Sequence, residues 1–142
     1  MRREDLLHWQ YHEKNLFHYY PPPGGNDDLS IVHSIRQVYA SIYRIGNTIS
    51  KRDKLGIHAH IERIALETMG DIIRTSLMPK HQKRELLESI RVSLEVLKHL
   101  VRTEHESSII PEKAYIELTT LLIETSKMTN GWIRYLTQNP AR

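Results

Sequence analysis

The sequence predicts an all-α fold, an antiparallel up-down-up-down four-helix bundle preceded by a short N-terminal helical leader. Three observations carry this expectation. Apolar residues recur at steps of three and four through four long segments, the period of a helix that buries one face. No run alternates with the two-residue period of a strand, and Asn130-Gly131, the one turn-like dipeptide of that kind, falls inside a helical pattern. The connections between the segments are short, which suits antiparallel neighbours.

The chain divides at Pro21, Pro22, Pro23, Gly24 and Gly25, a stretch that continues neither a helix nor a central strand. Residues 1–28 are the leader and 29–142 the bundle. Trp9, Tyr11, Phe17, Tyr19 and Tyr20 are half of the aromatic residues of the protein. Disordered tails are normally poor in such residues. Residues 3–18 are therefore expected to be at least partly helical and to dock on the body, a neighbouring subunit or a partner. The alternative is an appended arm with no task of its own.

The first body helix follows Asp28, an effective N-cap. Ile31, Ile35, Val38, Ile42, Ile45 and Ile49 form a heptad seam, and Val32, Tyr39 and Tyr43 widen it into a bundle face. Residues 46–56, with Lys51, Arg52 and Lys54, read as a basic connection. The second helix turns Ile57, Ile61, Ile64, Ala65, Thr68, Met69, Ile72 and Ile73 inward and ends by Met78, because Pro79 follows. The third runs from about Lys80 to Thr103 on a stripe of Leu86, Leu87, Ile90, Leu94, Leu97, Leu100 and Val101. The fourth starts at Pro111, a favoured first helical position. It buries Tyr115, Leu118, Leu122, Thr125, Thr129, Trp132 and Leu136.

Composition limits the chemistry. A chain of 142 residues without cysteine has no disulfide framework, thiolate metal site or thiol nucleophile. No apolar run approaches the roughly 20 residues of a membrane span, and no signal-peptide pattern opens the chain. A cytoplasmic protein with no membrane partner is the expectation. No phosphate loop, nucleophile elbow or paired catalytic carboxylate is recognisable, so the chain is expected to be no enzyme and to use no cofactor. Nor does any Glu-x-x-His of a di-iron bundle occur. His58 with Glu62, and Glu95 with His99, share helix faces and read as solvent-side pairs rather than metal ligands.

The net charge of +3 conceals an asymmetry, since an acidic leader leaves +5 on the body. On the third helix Arg84, Arg91 and Lys98 repeat every seven residues, and Lys80 and Arg102 extend the row. Lys51, Arg52 and Lys54 in the connection and Arg63 and Arg74 on the second helix complete a candidate surface for nucleic-acid phosphates. Glu88 and Glu95 interrupt the row, so a solvated face laced with weak ion pairs is the plainer reading.

The segment from Lys113 to Leu136 carries a resemblance. Tyr115, Leu118, Leu121, Leu122, Ile123, Glu124, Gly131, Trp132 and Ile133 are similar in order and spacing to the last helix of the Avd family, the accessory variability determinants of diversity-generating retroelements. That family takes in S23-type four-helix-bundle proteins. Arg52 to Gly56 resembles the family's basic loop, and the likeness extends from about Leu29 to Leu136. Ile110 departs from it, standing where a Ser or Thr cap is usual.

The resemblance implies a non-enzymatic homo-oligomer, a pentamer, that binds a reverse transcriptase and its template RNA in support of mutagenic cDNA synthesis. The S23 branch implies only a helical interaction module. A further reading is a ribonuclease resembling the HEPN type, whose Arg-x(4–6)-His spacing is matched by Arg2 and Arg3 to His8, Arg52 to His58 and Arg74 to His81. Matches of that kind arise by chance in a chain so rich in arginine and histidine.

Overall fold

The computed structural model describes residues 27–139, and the leader expectation lies outside them. The described residues are helical throughout, apart from short connections. Four long helices, α1 (Asp27–Gly46), α3 (Ile57–Leu77), α4 (Lys80–Glu106) and α5 (Glu112–Gln138), form the all-α bundle, and a short helix, α2 (Lys51–Leu55), joins the first two.

Each long helix packs on its neighbours in the chain, and α5 closes on α1. Cross-helix pairs give the directions. Ser34 in α1 meets Thr125 in α5, whereas Arg44, later in α1, meets Glu117, earlier in α5. Lys80 and Lys83 at the start of α4 lie over Tyr135 and Trp132 late in α5, while His105 at its end stacks on Tyr115 with ring centroids 4.4 Å apart. Both pairs of helices therefore run antiparallel.

The core is the predicted aliphatic seam. Ile35, Val38, Ile42, Ile61, Ala65, Ile72, Leu87, Ile90, Leu94, Leu97, Leu118 and Leu122 are fully buried. Each such branched side chain contributes about 1.5–3 kcal/mol relative to exposure. Two expected core residues face outward instead. Tyr43 is 55% exposed and Ile73 39%, because each lies beyond the edge of its helix's buried arc.

Threonine occupies core positions without orphaning its hydroxyl. Thr68, Thr75, Thr125 and Thr129 each donate to the carbonyl four residues earlier. With the Thr125 proton committed to Leu121, Ser34 must be the donor in the 2.6 Å bond between them.

The helix ends differ from expectation in detail. Asp28 falls inside α1 rather than at its cap, and Pro111 is the cap residue of α5 rather than its first helical residue. Ile110, in the place of a polar cap, is buried in the core. α4 runs to Glu106 and stops in a Schellman motif. The N–H of Ile109 donates to the Glu104 carbonyl and that of Ser108 to His105. Ser108 takes the left-handed conformation this requires, at φ 59°.

The basic connection proves to be partly helical. Ser50 accepts from the Asp53 N–H and so caps α2, and its hydroxyl donates to the Asp53 carboxylate at 2.9 Å, which holds the cap in place. Gly56 ends α2 and opens α3, its N–H donating to the carbonyls of Arg52 and Asp53.

Candidate nucleic-acid interface

The ten cations expected to contact phosphate do not form one surface. Lys51, Arg52 and Lys54 are exposed on α2, at the end of the bundle where α1 finishes and α3 begins. Arg74 and Lys80 flank the α3–α4 connection at the opposite end. From Lys80 to Arg102 the α4 row extends about 33 Å at 1.5 Å per residue, so it runs nearly the length of the molecule.

Acidic neighbours neutralise most of that row. Arg91 bonds Glu88 at 2.9 Å, Lys98 bonds Glu95 at 2.8 Å and Arg102 bonds Glu106 at 2.8 Å. On α3, Arg74 holds Asp71 at 2.6 Å, and Arg63 donates to His60. The Lys98 hydrogen bond, against a smaller opposing effect of burial, holds the Glu95 carboxyl below its ordinary value. Glu106 likewise raises Arg102. Solvent screens such exposed pairs and leaves them little net stability, so they do not fix the fold. They do compete with an incoming phosphate.

Lys51, Arg52, Lys54 and Arg84 carry no ion-pair bond among the described residues. Lys80 sits over the Tyr135 ring, 5.5 Å from its centroid. Of the ten, the cations left open to a polyanion are therefore concentrated on α2, with Arg84 and Lys80 as outliers at the far end.

The main polar arrangement is one that sequence reasoning missed. His58 and Glu104 are completely buried where α1, α3 and α4 meet. The His58 Nδ1–H donates to Glu104 Oε2 at 2.8 Å, and Nε2–H donates to the Ile42 carbonyl near the C-terminus of α1 at 2.7 Å. A carbonyl only accepts, so Nε2 carries a proton, and with a carboxylate at Nδ1 the ring is an imidazolium.

Burial alone pushes the His58 pKa down. The hydrogen bond to Glu104, that to Ile42 and the charges of Glu104 and Glu62 together outweigh it, so the pKa stands above the ordinary 6.5. Glu104 Oε1 has no hydrogen-bond partner. Gly46 makes the approach possible, because a Cβ there lies 3.2 Å from both Cδ2 and Nε2 of His58.

The expected solvent-side pairing of His58 with Glu62 is thus corrected. The signal was phase: His58 stands three before Ile61 and seven before Ala65, and Glu104 three after Val101 and seven after Leu97. Two polar residues in register with the apolar stripes of neighbouring helices meet in the core. Burial also removes His58 from any RNA backbone, so the Arg52 to His58 spacing creates no exposed catalytic pair.

Arg74 and His81 remain exposed. No group of three or more potential metal ligands occurs among the described residues, and no described helix is long and apolar enough to cross a membrane. Set against protein-family models, curated proteins and solved structures, the chain matches none of them.

Proposed function

We propose that this bundle is a non-enzymatic RNA-binding accessory protein that contacts phosphates through α2, in support of a reverse transcriptase. The supporting observation is the cluster of exposed Lys51, Arg52 and Lys54 on one capped helical turn, without an ion-pair bond among the described residues. The reverse-transcriptase partner and a pentameric homo-oligomer rest on the Avd resemblance alone. Phosphate contact through α2 rests on charge and exposure.

Salt titration of RNA binding tests the reading. Each phosphate neutralised adds roughly 0.7 to the slope of log affinity against log salt for a single strand. Replacing Lys51, Arg52 and Lys54 together by Gln should lower that slope by about 2. Replacing Arg91 and Lys98, whose charges are already paired, should change it far less. An affinity insensitive to salt, or to the α2 replacement, rejects the proposal.

The ion pairs of Arg74, Arg91, Lys98 and Arg102 favour a second reading, an S23-type scaffold in the cytoplasm without nucleic-acid function. That protein would assemble to the same size and bind no RNA at any salt concentration. Adding the bundle to a reverse transcriptase and measuring cDNA yield separates an accessory from a general RNA binder.

A further inference from the structure

The bundle leaves an apolar face unpartnered along the seam of α1 and α3. A Cβ at Gly46 lies 3.6 Å from Glu62 Oε1, which fixes the two rows that meet there. On α1, Tyr39 and Tyr43 precede Gly46 by seven and three residues and share its row, with their rings 6.4 Å apart. On α3, Leu66, Ile73 and Leu77 follow Glu62 on the same side. Tyr43, Leu66 and Leu77 are 55%, 47% and 80% exposed. Single exposed apolar residues are ordinary, but a continuous row rimmed by charge marks a contact surface.

The geometry points to the aromatic leader, residues 1–26, as the occupant of this face, laid along the α1–α3 groove as an additional helix. Three observations select it over a second copy of the chain. The leader joins α1 at Asp27, the end of the bundle where Ile73 and Leu77 lie, since Gly46 at the other end of α1 touches His58 at the start of α3. Its reach also fits. Residues 3–18 as a helix span about 24 Å against about 30 Å for α1, and five linker residues cover up to about 17 Å, enough to reverse direction.

The apolar pattern agrees with that placement. Leu6, Trp9, Leu16 and Tyr20 stand at steps of three, seven and four, one strip of a helix. Exposed Arg36 and Arg63 share the outer rows of the groove with Tyr43 and Leu77, and residues 1–26 balance Glu4, Asp5 and Glu13 against Arg2, Arg3 and Lys14. A leader folded back antiparallel to α1 sets Trp9 level with Tyr39 and Leu66.

Trp9 fluorescence in the full chain reads this directly. Trp132→Phe leaves Trp9 as the sole indole, and the Trp132 Nε1 makes no hydrogen bond that the change would orphan. The expected result is a blue-shifted emission poorly quenched by acrylamide, independent of protein concentration. Leu66→Lys, on a half-exposed side chain, should return Trp9 to the emission and quenching of a solvated indole while the far-ultraviolet helical signal stays unchanged.

A Trp9 that is fully quenched without Leu66→Lys, or unaffected by it, overturns the placement. Protection that grows with concentration assigns the face to a second copy and overturns it too. The absence of cysteine allows an independent measurement in the protein with Trp132 intact. Cysteines introduced as Gln10→Cys and Arg63→Cys should cross-link within one chain, whereas Gln10→Cys with Glu88→Cys should not; equal or purely intermolecular cross-linking refutes the docking.

Discussion

Replacement of Glu104 separates charge from packing in the core. In the native bundle His58 holds a proton that an unfolded histidine releases near pH 6.5. Above that pH the folded state binds more protons than the unfolded state, so stability falls as pH rises. The full contribution of His58 is present below pH 6.5 and is lost as pH climbs through the raised folded-state pKa. The slope over that interval approaches about 1.4 kcal/mol per pH unit.

Glu104→Gln retains the shape and changes the protonation. The amide N–H donates to Nδ1 of a neutral ring whose Nε2–H still donates to Ile42, so both ring nitrogens keep partners. The variant should lose about 1–2 kcal/mol at pH 6, the cost of weaker neutral hydrogen bonds, and its stability should no longer decline above pH 6.5 on account of His58. Glu104→Ala instead leaves Nδ1 unpartnered beside a cavity and should cost about 3–5 kcal/mol.

Urea unfolding of the three proteins at several pH values is the assay, with an unchanged slope of free energy against denaturant as the check that the denatured state is comparable. Equal pH dependence in the native protein and Glu104→Gln would refute the imidazolium assignment. So would a Glu104→Gln variant as unstable as Glu104→Ala.

Two further substitutions test the same corner of the bundle. Gly to Ala inside a helix ordinarily gains up to about 1 kcal/mol, but Gly46→Ala sets a methyl 3.2 Å from a ring held at both nitrogens. It should therefore destabilise the protein, and a stabilised variant in thermal unfolding would show that His58 has room to retreat. Ser108 bears the left-handed conformation at the end of α4; Ser108→Gly should raise stability by roughly 1 kcal/mol, and a decrease would mean that the serine supplies an interaction beyond its backbone.

The helices were legible because their apolar spacing is regular over many turns. The seam from Ile31 to Ile45 and the stripe from Leu87 to Val101 are buried as their period requires. Periodicity specifies a direction but not the width of the buried arc, which depends on how closely the neighbouring helices approach. Tyr43 and Ile73 lie on that margin and face solvent. The helical turn of α2 was obscured because a five-residue segment with no buried side chain shows no hydrophobic period. Its signal was Ser50, a capping residue three positions before Asp53.

The basic row was visible in the sequence, but its availability was not. Spacing alone placed Glu88 and Glu95 within reach of Arg91 and Lys98, and the structure closes those pairs. It leaves Lys51, Arg52 and Lys54 without equivalent bonds.

The buried pair and the basic turn are mechanically adjacent. α2 has no buried side chain of its own, so its position depends on what holds the two helices it connects. Gly46 ends α1 four residues before the Ser50 cap, and His58 stands in the first turn of α3, two residues after Gly56. The hydrogen bond from His58 to Ile42 ties these flanking ends together, and Glu104 anchors the tie to α4. A buried ion pair is a weak source of net stability because desolvation offsets its attraction. Here its directional bonds fix where α1 stops relative to α3, and hence how Lys51, Arg52 and Lys54 are presented. Loss of the tie should loosen α2 before the bundle unfolds, with faster amide exchange at residues 51–56 than in the core of α4.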